Sequence, residues 1–212
     1  VSKIYKISHL IYASTSSVYG DTKNFPTNEK NNTDKPLSFY SASKKTNEIL
    51  AYSYSAIHQI KTTGLRFFTV YGPYGRPDMA IYKFANAIKN EKTLELYNNG
   101  NHYRDFTYVD DIVKVILQLT KKNIIKTKKE KVPFDIFNIG NSNSEKITNI
   151  IKIIESHYNK KAKIKNLDMQ VGDVYKTHSD SSKISKFVKE KMKTSIEKGL
   201  NQYLDWFDKF YE

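Results

Sequence analysis

Two short segments of the chain contain residue types that could carry out acid–base chemistry. Residues 15–20 are rich in hydroxyl groups, and Tyr40 and Lys44 follow about twenty residues later in the segment Tyr-Ser-Ala-Ser-Lys. Because residues four apart share one face of a helix, the Lys44 ammonium can lie near the Tyr40 oxygen and favour the phenolate, a usable base. This order of groups predicts an enzyme of hydride-transfer chemistry. A chain with 16 tyrosines also produces the spacing by chance, as an exposed helix pair.

Composition limits the class of protein. With 212 residues, of which 39% are hydrophobic, the chain can form one domain with an additional lobe. No run of 18 apolar residues and no signal peptide occurs, so we expect a cytoplasmic protein that does not contact a membrane. The absence of Cys excludes disulfides and thiolate metal sites, and we assign no metal site.

The net charge of +13 raises the question of a polyanionic partner. The lysines cluster in short polar stretches, whereas Arg, the residue suited to base edges, occurs only at Arg66, Arg76 and Arg104. We therefore interpret the lysines as solvated surface and expect no nucleic acid partner. A basic module that binds polyanions remains an alternative.

The elements around the two segments predict an α/β fold. The apolar run His9–Ala13 is typical of a buried parallel strand, and helical spacing extends from Tyr40 to Gln59 after Pro36 and Ser38. The pattern of residues 64–72 predicts a second buried strand, which is followed by a Gly/Pro turn. The order strand, helix, strand indicates a doubly wound parallel sheet.

Further elements follow along the chain. We predict a helix over 79–89, strands over 93–97 and 106–108, and a helix capped by Asp110 or Asp111 that ends near Leu119. A Lys-rich surface insertion over 121–131 precedes a strand over 134–140. Three more helices are expected: one from Ser144, one over 181–188, and a last one that follows a capping box at Thr194–Glu197.

Seven segments, taken together, resemble a known family. They are YASTSSVYG (12–20), YSASK (40–44), TGLRFFTVYGPYGRPDMA (63–80), RDFTYVDD (104–111), FNIGN (137–141), GDV (172–174) and TSIEKGL (194–200). The chain resembles the extended short-chain dehydrogenase/reductases that act on nucleotide sugars, and within them the UDP-glucuronate 4-epimerases. Each segment alone has a structural explanation, but their shared order is specific.

The resemblance implies a fold and its ligands. It implies the C-terminal part of a Rossmann-type doubly wound parallel sheet, over 1–75 and 106–142, with a smaller α/β substrate-binding lobe over 76–105 and 143–212. It also implies NAD as cofactor, a UDP-sugar as substrate, and a homodimer when the protein is complete. The reaction would be epimerisation at C4 through a 4-keto sugar. Other reactions on the same fold stay open: epimerisation of neutral UDP-sugars, dehydration and decarboxylation.

The resemblance also implies roles for individual residues. Tyr40, Lys44 and Thr15 would be catalytic, and Tyr40, Lys44, Phe67 and Val70 would contact the cofactor. The substrate would be bound by Ser16, Ser17, Thr69, Arg76, Glu95, Leu96, Tyr97, Arg104 and Asp173. Arg104 would grip the diphosphate, while Thr69 and Arg76 would face a sugar carboxylate. Two alternatives remain: Thr15 could bond its own backbone, and Arg76 could be a turn residue paired with Asp78.

One family feature is missing from the sequence. No Gly-x-Gly-x-x-Gly or Gly-x-x-Gly-x-x-Gly occurs, although the family carries such a turn after its first strand to hold the cofactor phosphates. We therefore expect that roughly the first 100 residues of the cofactor-binding half are absent from this chain. The resemblance then implies poor NAD binding by the chain alone, with an inactive truncated fragment as the alternative to an active enzyme.

Overall fold

The computed structural model describes residues 2–121, 132–170 and 172–211. The predicted Lys-rich insertion lies outside these ranges from residue 122 onward. The strands are β1 (Leu10–Thr15), β2 (Thr62–Phe67), β3 (Thr69–Tyr71), β4 (Thr93–Tyr97), β5 (Tyr103–Tyr108), β6 (Phe134–Ile139), β7 (Ser144–Lys146) and β8 (Lys163–Leu167). The helices are α1 (Phe39–His58), α2 (Ala80–Lys89), α3 (Val109–Thr120), α4 (Ile147–Tyr158), α5 (Ser182–Val188) and α6 (Ile196–Phe210).

The first sheet is parallel, with strand order β1-β2-β6. Its register aligns Thr15, Phe67 and Ile139, so the carboxyl ends of all three strands meet at one edge. Helix α1 connects β1 to β2 and packs against both of them. This arrangement confirms the predicted α/β class with parallel strands.

The remaining strands form two smaller sheets. Strand β5 pairs with β3 in parallel and with β7 in antiparallel orientation, and β4 pairs with β8 in parallel. The predicted single strand over 64–72 is wrong in extent, because the chain changes sheets at Phe68. The Phe68 amide donates to the Ile139 carbonyl at 2.9 Å and its ring is buried, which ends β2 and lets β3 join β5.

Three predicted helix starts are wrong. Neither Asp110 nor Asp111 caps α3; the Asp111 carboxylate instead accepts hydrogen bonds from the amides of Lys193 and Thr194, at 2.9 and 2.8 Å. Ser144 begins strand β7, and α4 starts only at Ile147. The last helix is capped by Ser195 rather than by Thr194, since the Ser195 hydroxyl accepts from the Lys198 amide.

Two large apolar clusters form the core. One contains side chains of α2, α4 and α6 with those of β4 and β5, and the other joins the first sheet to α3 and α5. Ile184 and Val188 of α5 thus pack with the first sheet, although the predicted division groups residues 143–212 in the lobe. The division itself stays a prediction. Within the described ranges, no helix combines the length and apolar character needed to cross a bilayer.

Candidate functional site

Tyr40 and Lys44 lie on the first two turns of α1. The helix start is fixed by Ser38, whose hydroxyl accepts from the Ser41 amide, while the Ser38 amide donates to the Ser41 hydroxyl. The Lys44 amine is 6.0 Å from the centre of the Tyr40 ring and donates to the Ala13 carbonyl at 3.2 Å. Tyr40 remains 56% exposed. The phenol and the ammonium therefore face the same side, beside the carboxyl end of β1.

Thr15 ends β1 and is buried. Its hydroxyl accepts from the Ser17 amide and donates to the Ser17 hydroxyl, both at 3.2 Å, and so caps the short 3-10 turn Ser16–Tyr19. This local bonding is the structural alternative foreseen for Thr15. It also holds the Thr15 hydroxyl at the sheet edge that Lys44 reaches through Ala13, which keeps the catalytic prediction open.

One cavity, which we call the Tyr40 cavity, lies at this edge and has a volume of about 750 Å³. That volume is in the range of small-molecule sites. The predicted residues that line it are Thr15, Ser16, Ser17, Tyr40, Lys44, Phe67, Thr69, Val70 and Arg76. The Arg76 guanidinium is paired with the Asp78 carboxylate at 2.9 and 3.1 Å and is 74% exposed. The turn-residue alternative for Arg76 is thus the arrangement observed.

A second cavity, the Arg104 cavity, has a volume of about 1110 Å³ and is lined by the remaining predicted substrate residues, Glu95, Leu96, Tyr97, Arg104 and Asp173, together with Thr69. Arg104 donates to the Asp173 carboxylate at 2.7 Å, and His102 Nδ1 lies 3.4 Å from the other Asp173 oxygen. Burial lowers the pKa of Arg104, although Asp173 opposes the effect. The Leu96 side chain is buried in the core, which leaves its backbone to meet a ligand.

The two cavities adjoin. Thr69, Met79, Ala80, Tyr82 and Phe106 line both of them. A ligand that spans both would place one end at Arg104 and the other at Tyr40. The predicted site residues therefore fall into two neighbouring groups, with Thr69 common to both.

Sequence reasoning missed a buried polar network behind the site. Glu48, one turn after Lys44 on α1, accepts from Arg66 Nε and Nη2, both at 2.8 Å, and from the Ser14 hydroxyl at 2.6 Å. Arg66 also donates to the Tyr19 hydroxyl at 2.9 Å, and that hydroxyl donates to Asn138 at 2.6 Å. The sequence did contain a signal for this network, because Arg66 lies in the middle of a predicted buried strand and a buried Arg requires a buried partner.

The network sets the charge state of Glu48. Burial alone would raise the pKa of Glu48, but the hydrogen bonds and charge of Arg66 and the hydrogen bond from Ser14 outweigh burial and lower it. Glu48 is therefore ionised near neutral pH. This ion pair ties α1 to β2 directly behind Tyr40 and Lys44.

Comparison with solved structures gives the class of fold. A UDP-glucuronic acid 4-epimerase from Bacillus cereus, in complex with UDP-glucuronic acid and NAD, matches with a TM-score of 0.89 and 32% identity, over 99% of this chain and 64% of that one. A UDP-glucose 4-epimerase from Thermotoga maritima with UDP-glucose matches with a TM-score of 0.89 and 26% identity, over 100% and 67%. The fold is the α/β, Rossmann-like fold of these structures.

The sequence comparisons give the family. Residues 1–140 match the model of the NAD dependent epimerase/dehydratase family, and the chain belongs to this family. Protein CapI of Staphylococcus aureus is 42% identical over 221 residues, covering 100% of this chain and 66% of that protein. A probable UDP-glucuronate 4-epimerase of Rhizobium meliloti is 35% identical over 222 residues, covering 100% and 65%. The chain thus spans slightly less than two thirds of the length of these two relatives.

Proposed function

We propose that the protein to which this chain belongs is an NAD-dependent 4-epimerase of UDP-sugars, and that its substrate pair is UDP-glucuronate and UDP-galacturonate. The observation that carries the proposal is the placement of the Lys44 amine, which is close to the Tyr40 ring and bonded to Ala13 at the end of β1. A phenol beside a fixed cation, at the carboxyl edge of a parallel sheet, is suited to accept the proton of an alcohol.

The residues of the Tyr40 cavity fit the nicotinamide ribose end of NAD. Lys44 offers ammonium protons to ribose hydroxyls, and the partly buried Phe67 and Val70 give the cavity an apolar wall. The Gly-rich turn that would hold the cofactor phosphates is not in this sequence. The chemistry that NAD supplies when bound is the acceptance and return of a hydride at the sugar C4.

The residues of this chain would then act as follows. The Tyr40 phenolate accepts the proton of the C4 hydroxyl, and the Thr15 hydroxyl steadies the same sugar oxygen. The resulting 4-keto sugar turns over while Arg104 holds the diphosphate, and Tyr40 returns the proton to the oxygen. The uridine lies along Glu95–Tyr97 in the Arg104 cavity. The shared wall at Thr69 supports this path, since it lets one ligand reach both groups of residues.

The preference for a uronate rests on two arguments. The chain is similar over its whole length to a probable UDP-glucuronate 4-epimerase, and Thr69 and Arg76 line the cavity in which the sugar would lie. Neutral UDP-sugars are the second candidate, because a UDP-glucose 4-epimerase matches with the same TM-score of 0.89. Dehydration is disfavoured, since Ser16 and Ser17 stand where dehydratases of this kind usually carry Asp-Glu.

The test is turnover by the full-length protein. UDP-glucuronate, UDP-glucose and UDP-N-acetylglucosamine are each incubated with protein and NAD, and the C4 epimers are separated and quantified. We expect UDP-galacturonate as the main product and a loss of about 100-fold or more in kcat for Tyr40→Phe, the usual size of an acid–base contribution. Tyr54→Phe, on the same helix, is the matched control and should keep the rate.

The outcomes separate the alternatives. Turnover of the neutral sugars alone would keep the epimerase and reject the uronate. No turnover of any UDP-sugar, or an unchanged rate in Tyr40→Phe, would reject the proposed function.

A further inference from the structure

A third, smaller cavity adjoins the two larger ones, and we call it the Lys176 cavity. It shares Ser16, Ser17 and Phe68 with the Tyr40 cavity and Asp173 with the Arg104 cavity. Its volume is about 90 Å³, against about 750 Å³ for the Tyr40 cavity. A space of this size beside the sugar path suits one substituent of the ring rather than a whole nucleotide.

Two charged side chains line this cavity, Asp173 and Lys176. The Asp173 carboxylate is already paired with Arg104 and lies near His102. The Lys176 amine lies 5.1 Å from the centre of the Phe25 ring, and no carboxylate of the described residues is within 4.0 Å of it. Lys176 is thus a cation whose observed partner is an aromatic face, which leaves its ammonium protons open to an anion.

The backbone fixes the position of Lys176. Residue 176 forms an isolated bridge with Tyr103 of β5, and the Thr177 amide donates to the Tyr103 carbonyl at 3.0 Å. Tyr103 directly precedes Arg104, which holds Asp173 at 2.7 Å. The Lys176 cavity is therefore anchored to the same strand as the predicted diphosphate site.

Lys176 and Arg76 differ in the state of their charges. Both guanidinium arms of Arg76 that face Asp78 are occupied by its carboxylate, in a largely exposed pair. An incoming carboxylate at Arg76 must compete with Asp78, whereas at Lys176 it would meet no such competitor among the described residues. The geometry favours Lys176 as a partner for an anionic sugar substituent.

We propose that Lys176 binds the carboxylate of a uronosyl substrate in one of its two orientations. This inference rests on the proposed function. Epimerisation presents opposite faces of the ring to the same hydride, so the C5 carboxylate changes sides when the keto sugar turns over. Arg76 and Lys176 belong to cavities that meet at Ser16 and Ser17, so each cation would serve one of the two orientations of the sugar.

The experiment measures binding by the 212-residue chain itself, without turnover. Titration calorimetry gives the Kd of UDP-glucuronate, UDP-galacturonate and UDP-glucose for the wild type, Lys176→Met, Arg76→Ala and the control Lys161→Met, whose side chain is 89% exposed. We expect Lys176→Met to weaken one of the two uronates about tenfold, the value of one charge-assisted hydrogen bond. UDP-glucose should bind with an unchanged Kd, and Lys161→Met should resemble the wild type.

Three results would overturn the inference. If Lys176→Met leaves both uronates unchanged while Arg76→Ala weakens them, Arg76 alone binds the carboxylate and the proposed function stands. If Lys176→Met weakens the binding of all three ligands alike, Lys176 supports the site but does not recognise the carboxylate. If no UDP-sugar binds to the wild-type chain, this inference falls, while the turnover test of the full-length protein still decides the proposed function.

Discussion

Replacing Glu48 by Gln should destabilise the protein strongly. The side chains of Glu48 and Arg66 are 3% and 4% exposed, and two hydrogen bonds of 2.8 Å join them. An amide in place of the Glu48 carboxylate would leave the Arg66 guanidinium buried beside a neutral group. Removing one partner of a buried ion pair costs about 3–5 kcal/mol. Because Lys45 also lies 3.8 Å from Glu48, the variant would carry a second uncompensated cation at the edge of the network.

The assay is urea unfolding, followed by circular dichroism and by the fluorescence of Trp206. Glu91→Gln is the matched control, since Glu91 pairs with Lys160 at 3.2 Å but is 58% exposed. An exposed pair contributes about 0–1 kcal/mol, so the control should unfold close to the wild type. In the double variant Glu48→Gln/Arg66→Met no buried charge is left unpaired. The free energy of unfolding that this variant loses should be well below the sum of the losses in Glu48→Gln and Arg66→Met alone.

The pH dependence checks the sign of the same interaction. The pKa of Glu48 is lowered in the folded protein from its ordinary value of 4.5, so the folded state favours the carboxylate. The stabilisation is therefore present above pH 4.5 and is lost as the pH falls through the lowered folded value. The stability gap between wild type and Glu48→Gln should narrow on acidification below pH 4.5. The reasoning would be refuted if Glu48→Gln lowered the free energy of unfolding by less than about 1 kcal/mol, or if the losses of the two single variants simply added in the double variant.

Two further predictions concern stability. Burial, followed by the charge of Lys61, lowers the pKa of His9 from 6.5 to about 4. Between these pH values His9 is protonated in the unfolded chain but neutral in the folded chain. Because solvent screens this partly exposed ring, stability should fall by only about 1 kcal/mol from about pH 7.5 to about pH 5 through this group, and His9→Gln should remove that part of the slope in urea unfolding; an unaltered slope would contradict the assignment. Gly199→Ala would drive a methyl group into the Tyr71 hydroxyl and close to the Tyr108 ring, and overpacking costs about 1–3 kcal/mol. Thermal unfolding should show a lower Tm, and a raised Tm would mean that the helix propensity gained, about 1 kcal/mol, exceeds the clash.

The sequence predicted the elements that carry the site because their signals are local. The Tyr40 to Lys44 spacing lies inside a helix whose start Ser38 fixes, and β1 and β2 are short apolar runs. Strand β8 was missed, since Lys163–Leu167 is largely exposed and its lysines resemble a solvated loop. Such a strand is defined by its pairing with β4, which no local pattern reports.

The long-range contacts within the site could not be predicted from the sequence for a related reason. Arg104 and Asp173 are 69 residues apart, and only the fold brings them to 2.7 Å. For Asp111 the local rule predicted a contact that does not form. An acidic residue in the first turn of a helix predicts a cap, but here the carboxylate accepts hydrogen bonds from the backbone amides of Lys193 and Thr194. Local rules describe what a side chain can do for its own helix, and tertiary partners override them.

The buried ion pair explains how Tyr40 and Lys44, which are both accessible to solvent, can hold a defined geometry. Tyr40, Lys44 and Glu48 follow one another at intervals of four on α1, and only Glu48 is buried. Its carboxylate is bound by Arg66 of β2 and by Ser14, the neighbour of Thr15 on β1. A hydrophobic pair could fill the same volume at similar stability, but it would not fix the direction of the Ser14 hydroxyl or the rotation of α1. We infer that this charged pair sets the orientation of the helix that presents Tyr40 and Lys44 to the end of β1.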